Sequence, residues 1–412
     1  MTQAFSDMLY LFSCSAHGTS PEARKDLDLD AIFQKATEHG VLPLVIMSVM
    51  NLNTDRECII LGKTLDNHIR RLRSQILKDI QRSIIIHSAI RKLTSENISF
   101  CILKGATIAN LYKYPECRIS NDTDIYIDGM RATKNALKVL KPLGFEYRGN
   151  PPGEHHLRVY HELAGEVELH HRLFRRDSLS RHFGSEVSQL EPYRIVKSPY
   201  GYEFPALGIS DGLKYNYLHI TKHFVNRGVG IRPLMDLLLY IRENKNAIDY
   251  NQFYNVISEL KYEKFFDSII CIGIKYLGFS AEDLYPCNCD EGTIEELLSD
   301  IEEGGMFGGN LAWRAGFSKV YNEQRINKHK EEARDEYMKK WTKNPAKRFF
   351  MNRYSIAKEY PYVNRYRTLL PIAWLHRAVR FTISLLTGKR KSNIHTDIIN
   401  ARMKLINKLD MI

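Results

Sequence analysis

At 412 residues, with 44% hydrophobic and 26% charged side chains, the chain is long enough for two or three domains with cores of their own and too apolar for a disordered polyelectrolyte. It has no uninterrupted membrane span, and its apolar patch at 8–12 lacks the basic start and long apolar region of a secretory signal, so a cytoplasmic setting is expected. Seven cysteines, an odd number without a CxxC pair, exclude a disulfide framework and fit a reducing compartment. The net charge of +11 is uneven: residues 343–412 carry 15 Lys or Arg against 3 Asp or Glu, while the first 342 carry 44 against 45.

Residues 1–95 read as a helical N-terminal region, with apolar residues at helical spacing over 27–38, 43–50 and about 64–93. The basic residues of the long third helix read as a solvated face, with Arg70, Arg71 and Arg73 the cluster that could turn towards phosphate. A turn at 95–98 leads into a core of α/β type spanning 96–205. It begins with Cys-Ile-Leu-Lys-Gly-Ala at 101–106, an apolar strand ending in Lys104 and Gly105. A short helix is predicted over 106–112, which would set a helix N-terminus, an anion site, beside that turn.

Next comes Arg118, then Asp122 and Asp124 in a β-rich run at 122–127, where the two-residue period puts both carboxylates on one face. A helix at about 132–140 and strands from 144 and over 157–160 follow. The alternation of Glu166, Val167, Glu168, Leu169 and His170 then puts Glu166, Glu168 and His170 on one side of another strand. Each motif alone fits a solvated strand edge; together they make a site. Carboxylates on neighbouring strands need a cation to offset their repulsion, and hard oxygen ligands favour magnesium, or manganese, over zinc. Asp122, Asp124 and Glu168 are the metal candidates, and phosphoryl or nucleotidyl transfer is the chemistry such a site serves. Lys104 and Arg118 would neutralise phosphates, and Gly105 would let the backbone approach them. His155, His156, His161, His170 and His171 lack zinc-site spacing, so they read as polar-face residues, with His155 and His170 the candidates for substrate contact.

A helical domain is predicted over 206–342. His219 and His223 lie four apart on one helical face, and Arg232 and Asp236 four apart beyond a turn at Gly228 and Gly230. The charged run 328–340 reads as an exposed helix or linker. The basic segment 343–412 includes an amphipathic stretch at 365–391, suited to an anionic membrane surface or an RNA backbone, or else to packing on the protein itself.

The order Leu-Lys-Gly, then Arg and Asp-x-Asp, then Val-Glu-Leu-His resembles the uncharacterised bacterial branch of the polymerase-β-type nucleotidyltransferase superfamily. The likeness extends to His39-Gly-Val-Leu-Pro-Leu before the core, to His219, His223, Arg232 and Asp236 after it, and to Tyr360-Pro and Leu369-Leu-Pro near the end. It implies a mixed sheet core flanked by helical regions, with Asp122, Asp124 and Glu168 at the metal positions and Lys104-Gly105 at the nucleotide-binding turn. The wider superfamily usually has Gly-Ser there. His219, His223, Arg232 and Asp236 would close the cleft. The implied activity is transfer of an NMP from an NTP to a hydroxyl or phosphate of an acceptor, whether sugar, small molecule, tRNA or protein, with release of pyrophosphate. The alternative is a non-catalytic protein of the same fold, docked on nucleic acid or membrane through its basic tail.

Overall fold

The computed structural model describes residues 1–22, 27–52, 58–120, 122–149, 154–174, 190–191, 193–285, 287, 289–306, 356, 360, 362–365, 367–386 and 394–411. The chain forms two compact units, Met1–Leu311 with Lys408–Met411, and Ala312–Asn407 with Ile412. The predicted charged run 328–340 and the basic residues 389–391 lie outside the described residues.

The first unit is built on a mixed sheet of seven strands in the order β3-β4-β5-β2-β1-β7-β6. These are β1 (Cys101–Ile102), β2 (Asp122–Tyr126), β3 (Glu146–Tyr147), β4 (His156–His161), β5 (Gly165–His170), β6 (Arg194–Lys197) and β7 (Glu203–Ala206). The central pair β2 and β5 run parallel, with β1 antiparallel to β2 and β4 antiparallel to β5. Strands β6 and β7 have no counterpart in the expectations above. They are four residues each, one holds Pro205, and β7 meets β1 at a single register pair, Ile102 with Ala206, so little in their pattern marks a strand.

Alternation divides the sheet into an apolar and a polar face. Ile102, Ile125, Ile127, Val159, Val167 and Leu169 form one core with Ala89, Ile90 and Leu93 of helix α4 (Cys58–Ser95) and Ala136 and Leu140 of helix α5 (Met130–Leu140). Burying each large aliphatic side chain is worth roughly 1.5–3 kcal/mol, enough to fix the register and hence which side chains face the other way. That other face carries Asp122, Asp124, Glu168 and His170.

Three N-terminal helices, α1 (Gln3–His17), α2 (Leu29–Glu38) and α3 (Leu42–Met50), precede α4. Helix α1 was not among the predicted helices; it is capped by the Thr2 hydroxyl and closed by Gly18 at φ 77°, whose N–H donates to the Cys14 carbonyl. After the sheet come α6 (Ile209–Arg227), α7 (Ile231–Asn244), α8 (Tyr250–Glu259), α9 (Glu263–Tyr276) and α10 (Glu291–Gly304). The predicted turn at Gly228 and Gly230 separates α6 from α7.

One local expectation is corrected. Residues 106–112 form no α-helix but two three-residue 3-10 turns, Gly105–Thr107 and Ala109–Leu111, interrupted at Ile108 where φ falls to −115°. Lys104 therefore caps only a three-residue 3-10 turn, and no α-helix begins there.

In the second unit, α11 (Tyr362–Arg365) and α12 (Leu370–Leu386) share a small core of Ile356, Val363 and Ala373, and α13 (Ile394–Lys408) follows. Among the described residues no helix is long and apolar enough to cross a membrane.

Candidate active site

Strand pairing alone assembles the acidic cluster. The parallel register of β2 and β5 sets Asp122 opposite Glu166 and Asp124 opposite Glu168, while β4 brings His156 opposite His170 and Arg158 opposite Glu168. One carboxylate oxygen each of Asp124 and Glu168 and a ring nitrogen of His170 lie within 4.8 Å of one another. His170 Nε2–H donates to Asp124 Oδ1 at 2.9 Å, and lies 3.2 Å from Glu168 Oε2.

Lys104 enters from the other side. The Leu103 N–H donates to the Asp124 carbonyl at 3.0 Å, so the chain leaves β1 with Lys104 over the carboxylates. Its Nζ lies 3.2 Å from Asp124 Oδ2 and 3.8 Å from Asp122 Oδ2. Gly105, the next residue, is buried with φ 74°, a left-handed backbone that glycine adopts without strain and that turns the chain away immediately after the lysine.

These contacts set the protonation states. Burial alone would raise Asp124, yet the Lys104 ammonium and the His170 hydrogen bond outweigh it and hold the carboxyl well below its usual range. Burial likewise opposes charge on Lys104 and His170, but the facing carboxylates win and both are raised. The surrounding imidazoles go the other way. Burial holds His155 and His219 neutral, aided by Lys222 and Lys104 respectively, and brings His156 to about 4 despite Glu168.

Helix α6 covers the polar face and supplies His219 and His223. His219 Nε2 lies 3.3 Å from Lys104 Nζ and 3.2 Å from His223 Nε2. Because an ammonium only donates, His219 Nε2 accepts, and its proton resides on Nδ1. His219 thus joins the site through Lys104. His155 joins it through His170, with ring centroids 5.0 Å apart.

Arg118, Arg232 and Asp236 are brought together elsewhere. Asp236 on α7 accepts from Arg118 Nε and Nη2 and from the Tyr112 hydroxyl, and Arg232 Nη1 donates to the Ile119 carbonyl at 2.9 Å. These bonds fasten the segment between Gly105 and β2 to α7. Arg118 Nη1 is buried without a partner, facing the Gly105 side, so one arm of the guanidinium remains uncommitted.

Sequence reasoning missed Arg82. From α4 it donates through Nη1 to the Ser120 carbonyl and through Nη2 to Thr123 Oγ1 at 2.9 Å, clamping the entry to β2. Arg70, Arg71 and Arg73, the cluster singled out on that helix, are exposed. Nothing in the helical pattern separates Arg82 from its basic neighbours; only the packing of α4 on the sheet selects it. Arg82, Lys104, Gly105, Arg118 and Asp122 line an open cleft whose wall reaches Asp122 but not Asp124, Glu168 or His170. Its far wall is aromatic: His87 stacks on Tyr202 at 4.0 Å, and the Tyr200 hydroxyl donates to Asp79 at 2.8 Å.

The donor set fits a hard divalent cation: carboxylate oxygens on adjacent strands, with the His170 imidazole extending the fit to manganese. Such a cation at Asp124 would compete with Lys104 and His170 for the same oxygens.

A mixed sheet between helices, with carboxylates paired across two parallel strands and a lysine above them, defines a protein of the nucleotidyltransferase type. Residues 25–277 match the uncharacterised nucleotidyltransferase family, and the chain belongs to it. No curated protein and no solved structure matches the chain.

Proposed function

We propose that the protein is a metal-dependent nucleotidyltransferase that moves an NMP from an NTP to a hydroxyl or phosphate of an acceptor. The observation that carries this reading is the β2–β5 register, which sets Asp124 beside Glu168 with Lys104 poised 3.2 Å from Asp124. Magnesium or manganese, held by Asp122, Asp124 and Glu168, would supply charge to the triphosphate and lower the barrier to attack at its α-phosphorus. Lys104, the free arm of Arg118 and Arg82 give the cleft a cationic end for phosphates, and Tyr200, Tyr202 and His87 an aromatic end for the nucleoside.

The acceptor oxygen attacks the α-phosphorus, the bond to the bridging oxygen of the β-phosphate breaks, and pyrophosphate leaves. Glu168 takes the acceptor's proton; it is more exposed than Asp124, which is nearly sealed at 2%. His219, neutral and hydrogen-bonded to Lys104, holds the ammonium in place. The acceptor belongs to the sugar, small-molecule, tRNA or protein class. Incubating the protein with each α-labelled NTP, magnesium and cell extract, and sorting the labelled product by size, tests the activity and identifies that class. No label transfer from any NTP, with magnesium or manganese, would refute it.

A second reading, a nucleotide-binding protein without transfer, is favoured by one observation: Asp124 is already engaged by Lys104 and His170. Magnesium-dependent NTP binding without pyrophosphate release would select it. In either case the basic C-terminal segment recruits an anionic surface. This is supported by α12, where Ile372, Leu375 and Val379 are 51%, 65% and 48% exposed and Arg380, at the edge of that apolar face, is exposed as well.

A further inference from the structure

Three of the cysteines, scattered in sequence, converge outside the acidic site. Cys271 is buried on α9, and Cys287 and Cys289 come from the connection leading into α10. Their sulfurs all lie within 4.8 Å of one another, with Cys271 and Cys287 Sγ 2.7 Å apart. A buried cysteine packs adequately as a small apolar side chain and gains little from a second thiol, since S–H is a weak donor. Three together have a use that one lacks. Zinc–sulfur bonds of about 2.3 Å in a tetrahedron place sulfurs about 3.8 Å apart, within the span found here.

We propose that Cys271, Cys287 and Cys289 form a thiolate site for a soft divalent cation of the zinc type. On binding, each sulfur gives its proton to solvent and a lone pair to the metal. Asp267, at i−4 from Cys271 and so on the same face of α9, brings a carboxylate within electrostatic reach of Cys287 and Cys289, though not into the group of three sulfurs itself. Its Oδ1 accepts from the Tyr254 hydroxyl at 3.0 Å, the kind of outer hydrogen bond that orients a ligating carboxylate. The bound cation would cross-link α9 to the start of α10, whose N-cap Asp290 follows Cys289 directly. Thiolate ligands discriminate against magnesium, so this site and the carboxylates of β2 and β5 would take different ions from the same solution.

The test is cobalt substitution in the full-length, freshly reduced protein. One equivalent of Co²⁺ should produce an intense near-ultraviolet thiolate-to-cobalt band with visible bands of a tetrahedral site, all removed by one equivalent of Zn²⁺. Cobalt on His155, His156 and His170, whose ring nitrogens also lie within 4.8 Å of one another, would lack the thiolate band. Cys271→Ser and Cys289→Ser should each lose most of that band while Cys14→Ser keeps it; if Cys271→Ser fails to fold, the less buried Cys289 carries the comparison. Absence of the thiolate band at one equivalent, its persistence in Cys289→Ser, or a Cys271–Cys287 disulfide whose reduction restores no metal uptake would each overturn the proposal.

Discussion

Asp236 grips Arg118 in a two-pronged buried ion pair, Nε to Oδ1 at 3.1 Å and Nη2 to Oδ2 at 2.6 Å, joining α7 to the segment that leads into β2. Removing one partner of such a pair leaves an uncompensated charge in the interior. Asp236→Asn should therefore destabilise the fold by about 3–5 kcal/mol, read from urea unfolding. The double variant Arg118→Met, Asp236→Leu should recover much of that loss, because burying neither charge removes the desolvation cost. A double variant as unstable as Asp236→Asn would show that geometry, and not charge, is what the pair supplies.

Asp124→Asn should lower stability, because it weakens the pairing of Lys104 and His170, but still fold, and should cut pyrophosphate release at least about 100-fold, since a neutral amide cannot balance a cation at the developing charge. Circular dichroism and steady-state turnover at saturating magnesium separate the two effects. Turnover near that of the unaltered protein would remove Asp124 from the proposed chemistry.

Lys104→Ala should weaken NTP binding by about 10- to 100-fold, the worth of one charge-assisted hydrogen bond, and Lys104→Arg by less. Calorimetric titration with a non-hydrolysable analogue measures both. Binding unaltered in either variant would restrict Lys104 to stabilising Asp124.

Stability should fall in mild acid through His39. Its ring is fully buried 5.0 Å from that of Phe5, Nδ1 accepts the Ile231 N–H at 3.3 Å, and burial with the nearby Lys35 lowers it to about 4. The folded state holds this histidine neutral where the unfolded chain would protonate it. Its contribution is thus complete above pH 6.5 and lost as pH drops towards 4, amounting to roughly 3 kcal/mol at most. His156, lowered over the same range, acts in the same direction. The urea midpoint should decline between pH 6.5 and 4, and less steeply in His39→Gln; parallel profiles would assign the decline to other groups.

On α12, Leu375→Glu with Val379→Glu should abolish sedimentation with anionic vesicles and leave NTP binding unchanged. The unaltered protein should lose the vesicles as salt rises, because its positive charge is screened. Binding that survives both substitutions would place the contact elsewhere.

The acidic cluster was legible because its signals are local: a period of two fixes the face of Asp122 and Asp124, and of Glu168 and His170, whatever the rest of the chain does. The long helix and the glycine turn after α6 were legible for the same reason, as spacing and backbone freedom are written residue by residue. The 3-10 turns after Lys104 were not, because the run at 106–112 carries helical spacing that the backbone abandons at Ile108.

By itself the sequence determined the fold class, the family and which side chains share a strand face, since all of these follow from order and periodicity along the chain. Only the tertiary structure decided that Arg82 and not Arg70, Arg71 or Arg73 enters the cleft, and that Arg118 gives two of its three nitrogens to Asp236. It alone decided that Lys104 is shared between Asp124 and His219, and that cysteines 271, 287 and 289 meet. Those pairings span up to 118 residues of chain, and no local pattern records them. They exist because burying the apolar face of the sheet and the helix cores brings the partners within a few ångströms, where a buried charge must find its counterpart or cost several kcal/mol.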